Sequence, residues 1–420
     1  MITRYEGASE PELRLKVANA LFEKASALAA MSRDQDSVAV SRELVDRFSD
    51  AGEVDLRQRS AAGLLLSGIT LNRLGRHAEA LASYDELLAR FGDSADDGLQ
   101  ESTAWALNNK AALEWQRGEL EPALDGYRQL VARFANSPSL ALRTLASKAL
   151  YSVVRLFLAL GRSDDVLNAA EEIIDRFGAE QSPDIRLQVA RALTKKGLTL
   201  HDSRRPRAAI EAYDDLLARF SDERADPEIG RQVAWALANK ALLLNEVGSS
   251  TAAAAAADEC LASFGDASDP QLRAAAASAL LHEARAFDML GRKTDELATY
   301  EEVIRRSEEV DEPELRVLGS TALVSKAATL RELNRDDEAI KNYDEVISRY
   351  GEAEDVRIRE NVSRALFFRA KALAERGRIA EAVKSYDTLA DWFQPDESPM
   401  IGATLDSARE RRSALLAAQN

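Results

Sequence analysis

A basic residue followed by an aromatic one returns along this chain at a nearly constant interval. Arg47-Phe48, Arg90-Phe91, Arg133-Phe134, Arg176-Phe177 and Arg219-Phe220 are spaced by 43 residues, and the series continues through Phe264, a degenerate Arg306, Tyr350 and Phe393 in steps of 42 to 44. That makes nine units. An internal period of this length specifies an array of stacked repeats, each packing mainly on its neighbours. The 420 residues therefore describe one extended assembly rather than two or three globular domains.

Each unit reads as two helices. An acidic or Ser cap, often followed by proline, opens the first, as in Asp226-Pro227, Asp269-Pro270 and Ser182-Pro183. Apolar residues at Leu237, Ala241, Leu244 and Val247 then follow a helical spacing. Glycine closes this first helix at Gly75, Gly118, Gly161, Gly248, Gly291 and Gly377, where a left-handed backbone is needed. The second helix carries the recurring phrase, written YDELLARF at Tyr84 and YDDLLARF at Tyr213. Ala and Leu dominate and aromatics are only 6% of the chain, which favours helix over sheet. The expected fold class is all-α: a solenoid of nine helical hairpins over residues 1–397, with residues 398–420 as a C-terminal capping helix and tail.

The pattern Leu323, Ala327, Leu330, then Glu338-Ala339-Ile340 and Tyr343, resembles the tetratricopeptide repeat (TPR), as do Leu21, Ala25 and Leu28 at the start and Leu366, Ala370, Gly377, Ala382 and Tyr386 near the end. The likeness runs along nearly the whole chain, but the usual TPR period is about 34 residues. This chain resembles a lengthened class whose first helices carry extra turns. The resemblance implies a right-handed superhelix whose first helices line a concave face that binds peptides or proteins.

Chemistry is sparse. His77, His201 and His282 lie in different units, and His282-Glu283 lacks the second histidine of a zinc-protease motif because Ala286 stands in its place. No phosphate-cradling glycine loop occurs. Cys260 is the only cysteine, so no intrachain disulfide or cysteine-based metal site can form; it reads as a small packing residue in a reducing cytoplasm. The expectation is a non-enzymatic protein with no cofactor and no metal. The opening MITRYEGASEPELRL lacks the apolar core of a signal peptide, and no run of about 18 apolar residues could span a bilayer. A formal charge of −16 argues against nucleic acid and anionic membrane as partners.

Two polar columns recur. Lys24, Lys110, Lys196, Lys240, Lys326 and Arg369 each precede the small residue of the first helix, and Asp85, Glu171, Asp214, Asp258, Glu301, Asp344 and Asp387 each follow the tyrosine position of the second. They are expected to pair between helices, each bridge contributing on the order of 0–1 kcal/mol when exposed. Roughly 160–200° from the core stripe, at 100° per residue, the first helices carry a different set. It comprises Trp105, Asn109, Lys148, Arg155, Arg191, Lys195, Trp235, Asn239, Arg285, Arg364 and Lys371, with Asn19, Glu23, Ser152, His282 and Phe368 beside them. Seven of these sixteen are Lys or Arg and one is acidic, in a chain with 71 acids and 55 bases. Trp105 and Trp235 occupy the same place in units three apart. Two roles are open for them: anchors for a partner, or packing of the lengthened helix against the preceding unit.

The expected function is therefore a protein–protein interaction scaffold. The basic residues would hold carboxylates of an acidic peptide or protein, the tryptophans would anchor apolar groups, and Asn109 and Asn239 would bond peptide backbone. The alternatives are a regulatory module for a separately encoded effector enzyme and a self-assembling solenoid.

Overall fold

The computed structural model describes residues 10–309 and 312–418, and among these every regular element is helical. The first helices of the hairpins are α1 (Pro11–Ala30), α3 (Val54–Arg73), α5 (Asp97–Gln116), α7 (Leu140–Ala159), α9 (Pro183–Asp202), α11 (Pro227–Glu246), α13 (Pro270–Met289), α15 (Pro313–Glu332) and α17 (Val356–Glu375). Each is 20 residues long, about 30 Å at 1.5 Å per residue. The second helices are α2 (Asp34–Phe48), α4 (His77–Phe91), α6 (Leu120–Phe134), α8 (Ser163–Phe177), α10 (Pro206–Phe220), α12 (Ser250–Phe264), α14 (Lys293–Glu308), α16 (Asp336–Tyr350) and α18 (Ile379–Trp392), followed by a closing α19 (Pro399–Ala417). The long first helix is what stretches the period to 43.

Helix starts follow the sequence closely. The Asp226 carboxylate accepts the N–H groups of Glu228 and Ile229 at 2.9 Å, and Asp269 accepts that of Gln271 at 2.8 Å. Between first and second helices the chain turns through one residue with φ between 57° and 81°. Six hairpins use glycine there. Ser32, Arg204 and Asn334 fill it in the others, a conformation that only asparagine among these three adopts readily.

The chain divides into two compact units, Met1–Thr199 and Leu200–Asn420. Sequence neighbours pack on one another from α1 to α8 in one and from α10 to α19 in the other, and successive first helices also touch: α1, α3, α5 and α7 in one, α11, α13, α15 and α17 in the other. The first helices thus make the close-packed side of each unit. A small residue on the first helix receives the tyrosine of the second. A Cβ built on Gly68 would come within 2.4 Å of the Tyr84 ring, and Tyr84, Tyr213 and Tyr343 are almost completely buried.

The Arg-aromatic phrase is a fastening between hairpins. Its aromatic closes the core, while its arginine reaches back to the loop that ends the preceding unit. Arg90 donates to Ser49 Oγ at 2.9 Å and pairs with Asp50 at 3.0 Å; Arg133 donates to the Gly92 carbonyl; Arg306 donates to the Gly265 carbonyl at 2.5 Å. The position at Arg306 keeps this clip although its aromatic has become Ser307.

The two polar columns pair at five rungs. Lys110 meets Asp85 at 2.6 Å, Lys196 meets Glu171 at 2.5 Å, Lys240 meets Asp214 at 2.6 Å, Lys326 meets Glu301 at 3.1 Å and Arg369 meets Asp344 at 2.5 Å. Each rung joins a second helix to the first helix of the next hairpin. One further rung was not expected from the sequence. Arg412 of α19 meets Asp387 at 2.5 Å, so the closing helix continues the ladder.

Candidate functional site

In the first unit, the exposed side of the first helices combines an apolar hollow with cation–aromatic pairs. The hollow, about 560 Å³, lies between α3 and α5. Leu65, Ile69 and Asn72 form one wall; Trp105, Asn109, Ala112, Leu113 and Gln116 form the other; Tyr84 closes its floor. Trp105 is 43% exposed, a large indole face left to solvent. Burial pushes the Tyr84 phenol up to about 12, and Asn109 beside the hydroxyl opposes part of that rise. The Asn109 amide oxygen accepts from Asn108 Nδ2 at 3.2 Å. Carboxamides around an apolar wall can bond a peptide backbone while an apolar side chain fills the hollow.

Further along this unit the cations take over. Arg155 on α7 lies over the Trp115 ring at 4.6 Å, and Arg191 on α9 lies over Tyr151 at 5.9 Å. Lys148 pairs with Asp184 at 3.4 Å, with both groups exposed. Arg155 and Lys195 have no carboxylate within ion-pair distance among the described residues. They stand apart from Lys110, Lys196, Lys240, Lys326, Arg369 and Arg412, each of which is matched to an acid.

In the second unit the corresponding residues are dispersed. Trp235 is half-buried, packed on the cluster of Ala274, Ala277, Leu280 and Ala284. This is the following hairpin, and its run of alanines leaves the indole room. Asn239 lies beside the deeply buried Tyr213 hydroxyl, just as Asn109 lies beside that of Tyr84. Burial, with the Arg285 charge alongside, lowers His282 to about 4, so its ring is neutral at neutral pH. Lys371 comes within 4.0 Å of Glu375. Arg364, Phe367 and Phe368 of α17 face Met400, Ala403, Thr404 and Ser407 of α19 across a second hollow of about 360 Å³. Nothing in the repeat pattern pointed to this hollow, because its far wall belongs to the one helix outside the repeat.

Among the described residues no group of three or more His, Cys, Asp or Glu side chains is arranged to hold a metal, and no helix is long and apolar enough to cross a membrane. Cys260 is fully buried, its thiol donating to the Ala234 carbonyl at 3.5 Å, and burial with Glu259 alongside pushes it up to about 12. Native protein is therefore expected to react with a thiol reagent at least a hundredfold more slowly than protein in denaturant, where one thiol per chain should titrate. Fast native labelling would contradict this placement.

The tetratricopeptide repeat family matches the chain at residues 59–136 and again at 324–397. No curated protein matches it. Among solved structures, the apo form of RapI aligns with a TM-score of 0.51 at 14% identity, covering 90% of this chain and 97% of that one. The apo form of the quorum sensor NprR from B. thuringiensis gives 0.46 at 11% identity, covering 90% and 98%. A tetratricopeptide repeat protein from Parabacteroides merdae gives 0.35 at 17%, covering 73% and 98%. The likeness to RapI is one of fold.

Proposed function

We propose, from the premise that this chain is a tetratricopeptide-repeat protein, that it is a non-enzymatic interaction scaffold whose first helices bind an acidic peptide or protein segment. The observation that carries the reading is the contrast between two sets of cations. The ladder cations with pairs given above are consumed within the fold, whereas Arg155 and Lys195, further along the unit that holds the exposed Trp105 and its apolar hollow, have no carboxylate within ion-pair distance among the described residues. Exposed aromatic and arginine side chains set around a hollow are the usual anchors of an interface. An acidic segment would lay one large apolar side chain between α3 and α5, bond its backbone to Asn109 and Gln116, and place carboxylates against Arg155 and Lys195.

Selection from a random peptide display library tests this directly. Peptides retained by the wild type are expected to carry Asp or Glu beside one large apolar residue. Arg155→Glu/Lys195→Glu, with helicity and melting unchanged, is expected to lose at least tenfold in affinity for them, about 1.4 kcal/mol. Peptides without acidic bias, or bound equally by the variant, would remove the site from these helices.

A second reading, a regulatory module docking a folded effector, is favoured by one feature. Met289, Leu290 and Leu333 expose apolar surface at consecutive hairpin turns of the second unit. Leu290→Asp/Leu333→Asp would abolish capture of such an effector and leave peptide binding intact.

A further inference from the structure

The ladder contains one rung of a different kind. At Asp85/Lys110, Glu171/Lys196, Asp344/Arg369 and Asp387/Arg412 an acid of the second helix meets a cation 25 residues later. The same offset from Asp258 on α12 arrives at Glu283 on α13. Here two carboxyl groups face each other where every neighbouring rung has an ion pair. Asp258 is exposed, while Glu283 is only 6% exposed.

Two carboxylates cannot share such a position while both are charged, because the buried one loses its hydration and gains a like charge. One proton between them turns repulsion into a hydrogen bond, and Glu283 lies within hydrogen-bonding reach of Asp258. The other charged groups around Glu283 do not relieve the conflict. Arg292, at the turn before α14, is engaged by Asp295 at 2.6 Å and stacks on Phe287 at 4.3 Å. Asp295 adds a further negative charge. On α14, Lys293 is engaged by three carboxylates, Asp288 at 2.5 Å, Glu332 at 2.7 Å and Glu296 at 3.1 Å. From α11 comes the neutral amide of Asn245, which donates to the His282 carbonyl at 2.7 Å.

We propose that the Asp258–Glu283 rung is a proton-operated joint. With a proton between the two carboxyl groups, α12 and α13 are clasped as the cation rungs clasp the other hairpins; without it, like charges loosen this one junction. Burial and the Asp258 charge raise Glu283 to about 8, so the proton is lost from the joint as pH rises through about 8. The sign follows from proton counting. The folded junction keeps a proton that the opened chain gives up above about pH 4.5, so protection falls as pH rises from there to about 8 and levels off above it.

Hydrogen exchange of full-length protein at pH 5.5, 7.0 and 8.5, corrected for intrinsic rates, tests the joint. Protection of amides in 250–264 and 270–289 is expected to fall at least tenfold over this range in the wild type, while amides of 336–350 serve as an internal reference. Glu283→Gln, which keeps the neutral form, is expected to flatten that response, and Asp258→Asn, which removes the repelling charge but leaves Glu283 buried, to reduce it. Glu283→Lys is expected to restore an ordinary ion pair and make it independent of pH. Equal pH dependence in wild type and Glu283→Gln, or none in the wild type, would overturn the proposal.

Discussion

Replacing Tyr84 by alanine is expected to destabilise the first unit by about 3–5 kcal/mol, the range for removing a buried aromatic ring. The ring is 1% exposed and lies directly over Gly68, where even a methyl group would collide with it. It is surrounded by Leu64, Leu71, Leu87 and Phe91, none of which can swing into the space left behind without abandoning its own contacts. Tyr84→Phe should cost under about 1 kcal/mol, since the hydroxyl stands at the wall of the hollow beside Asn109. Denaturant unfolding followed by the amide exchange of α3–α6 would measure both. A Tyr84→Ala loss below about 1 kcal/mol would show that the tyrosine phrase is not what joins the two helices of a hairpin.

Lys293→Met is expected to be nearly as damaging to the second unit, by about 3–5 kcal/mol. Its ammonium gathers three carboxylates: Asp288 at 2.5 Å, Glu332 at 2.7 Å and Glu296 at 3.1 Å. Burial works against the lysine charge, but hydrogen bonds to Asp288, Glu332 and Glu296 outweigh it and hold the amine above the ordinary lysine range. Glu296 is only 3% exposed and also accepts from Thr329 Oγ1 at 2.5 Å. Removing the lysine strands a buried carboxylate between two others. Lys293→Met/Glu296→Met should regain most of the loss, because an apolar pair of similar volume needs no counter-charge. The diagnostic result is the non-additivity in chemical unfolding; equal losses in single and double variants would refute it.

The repeat was legible because its signals are local. Caps such as Asp226, turns at glycine and the tyrosine phrase each act within a few residues, so their recurrence could be counted along the sequence. The ladder was legible for the same reason, since acid and base recur at fixed positions. Arg412 escaped because α19 carries none of the surrounding phrase that marks the other cations. Glu283 escaped because the sequence drew attention to its neighbour His282 and an incomplete metal motif, while the relevant fact was which residue faces it from α12. Trp105 and Trp235 are indistinguishable in sequence, TAWALNNK against VAWALANK. What separates them is the next hairpin: alanines at 274 and 277 admit Trp235, whereas Trp105 remains at the mouth of a hollow. Likewise the pairing of Lys148 with Asp184 depends on how one first helix lies against the next, which no helical phase reveals.

The ladder also sets a clock for synthesis. Each acid paired in the ladder finds its cation only after about 25 more residues have been added. At roughly 5–20 residues per second that is a wait of about 1–5 s. At each ion-paired rung the acid therefore waits unmatched behind the growing end, and the delay is nearly the same from one such rung to the next. The final rung is released from this wait only by Arg412, so a chain stopped short of α19 would carry its last hairpin in that unmatched state permanently.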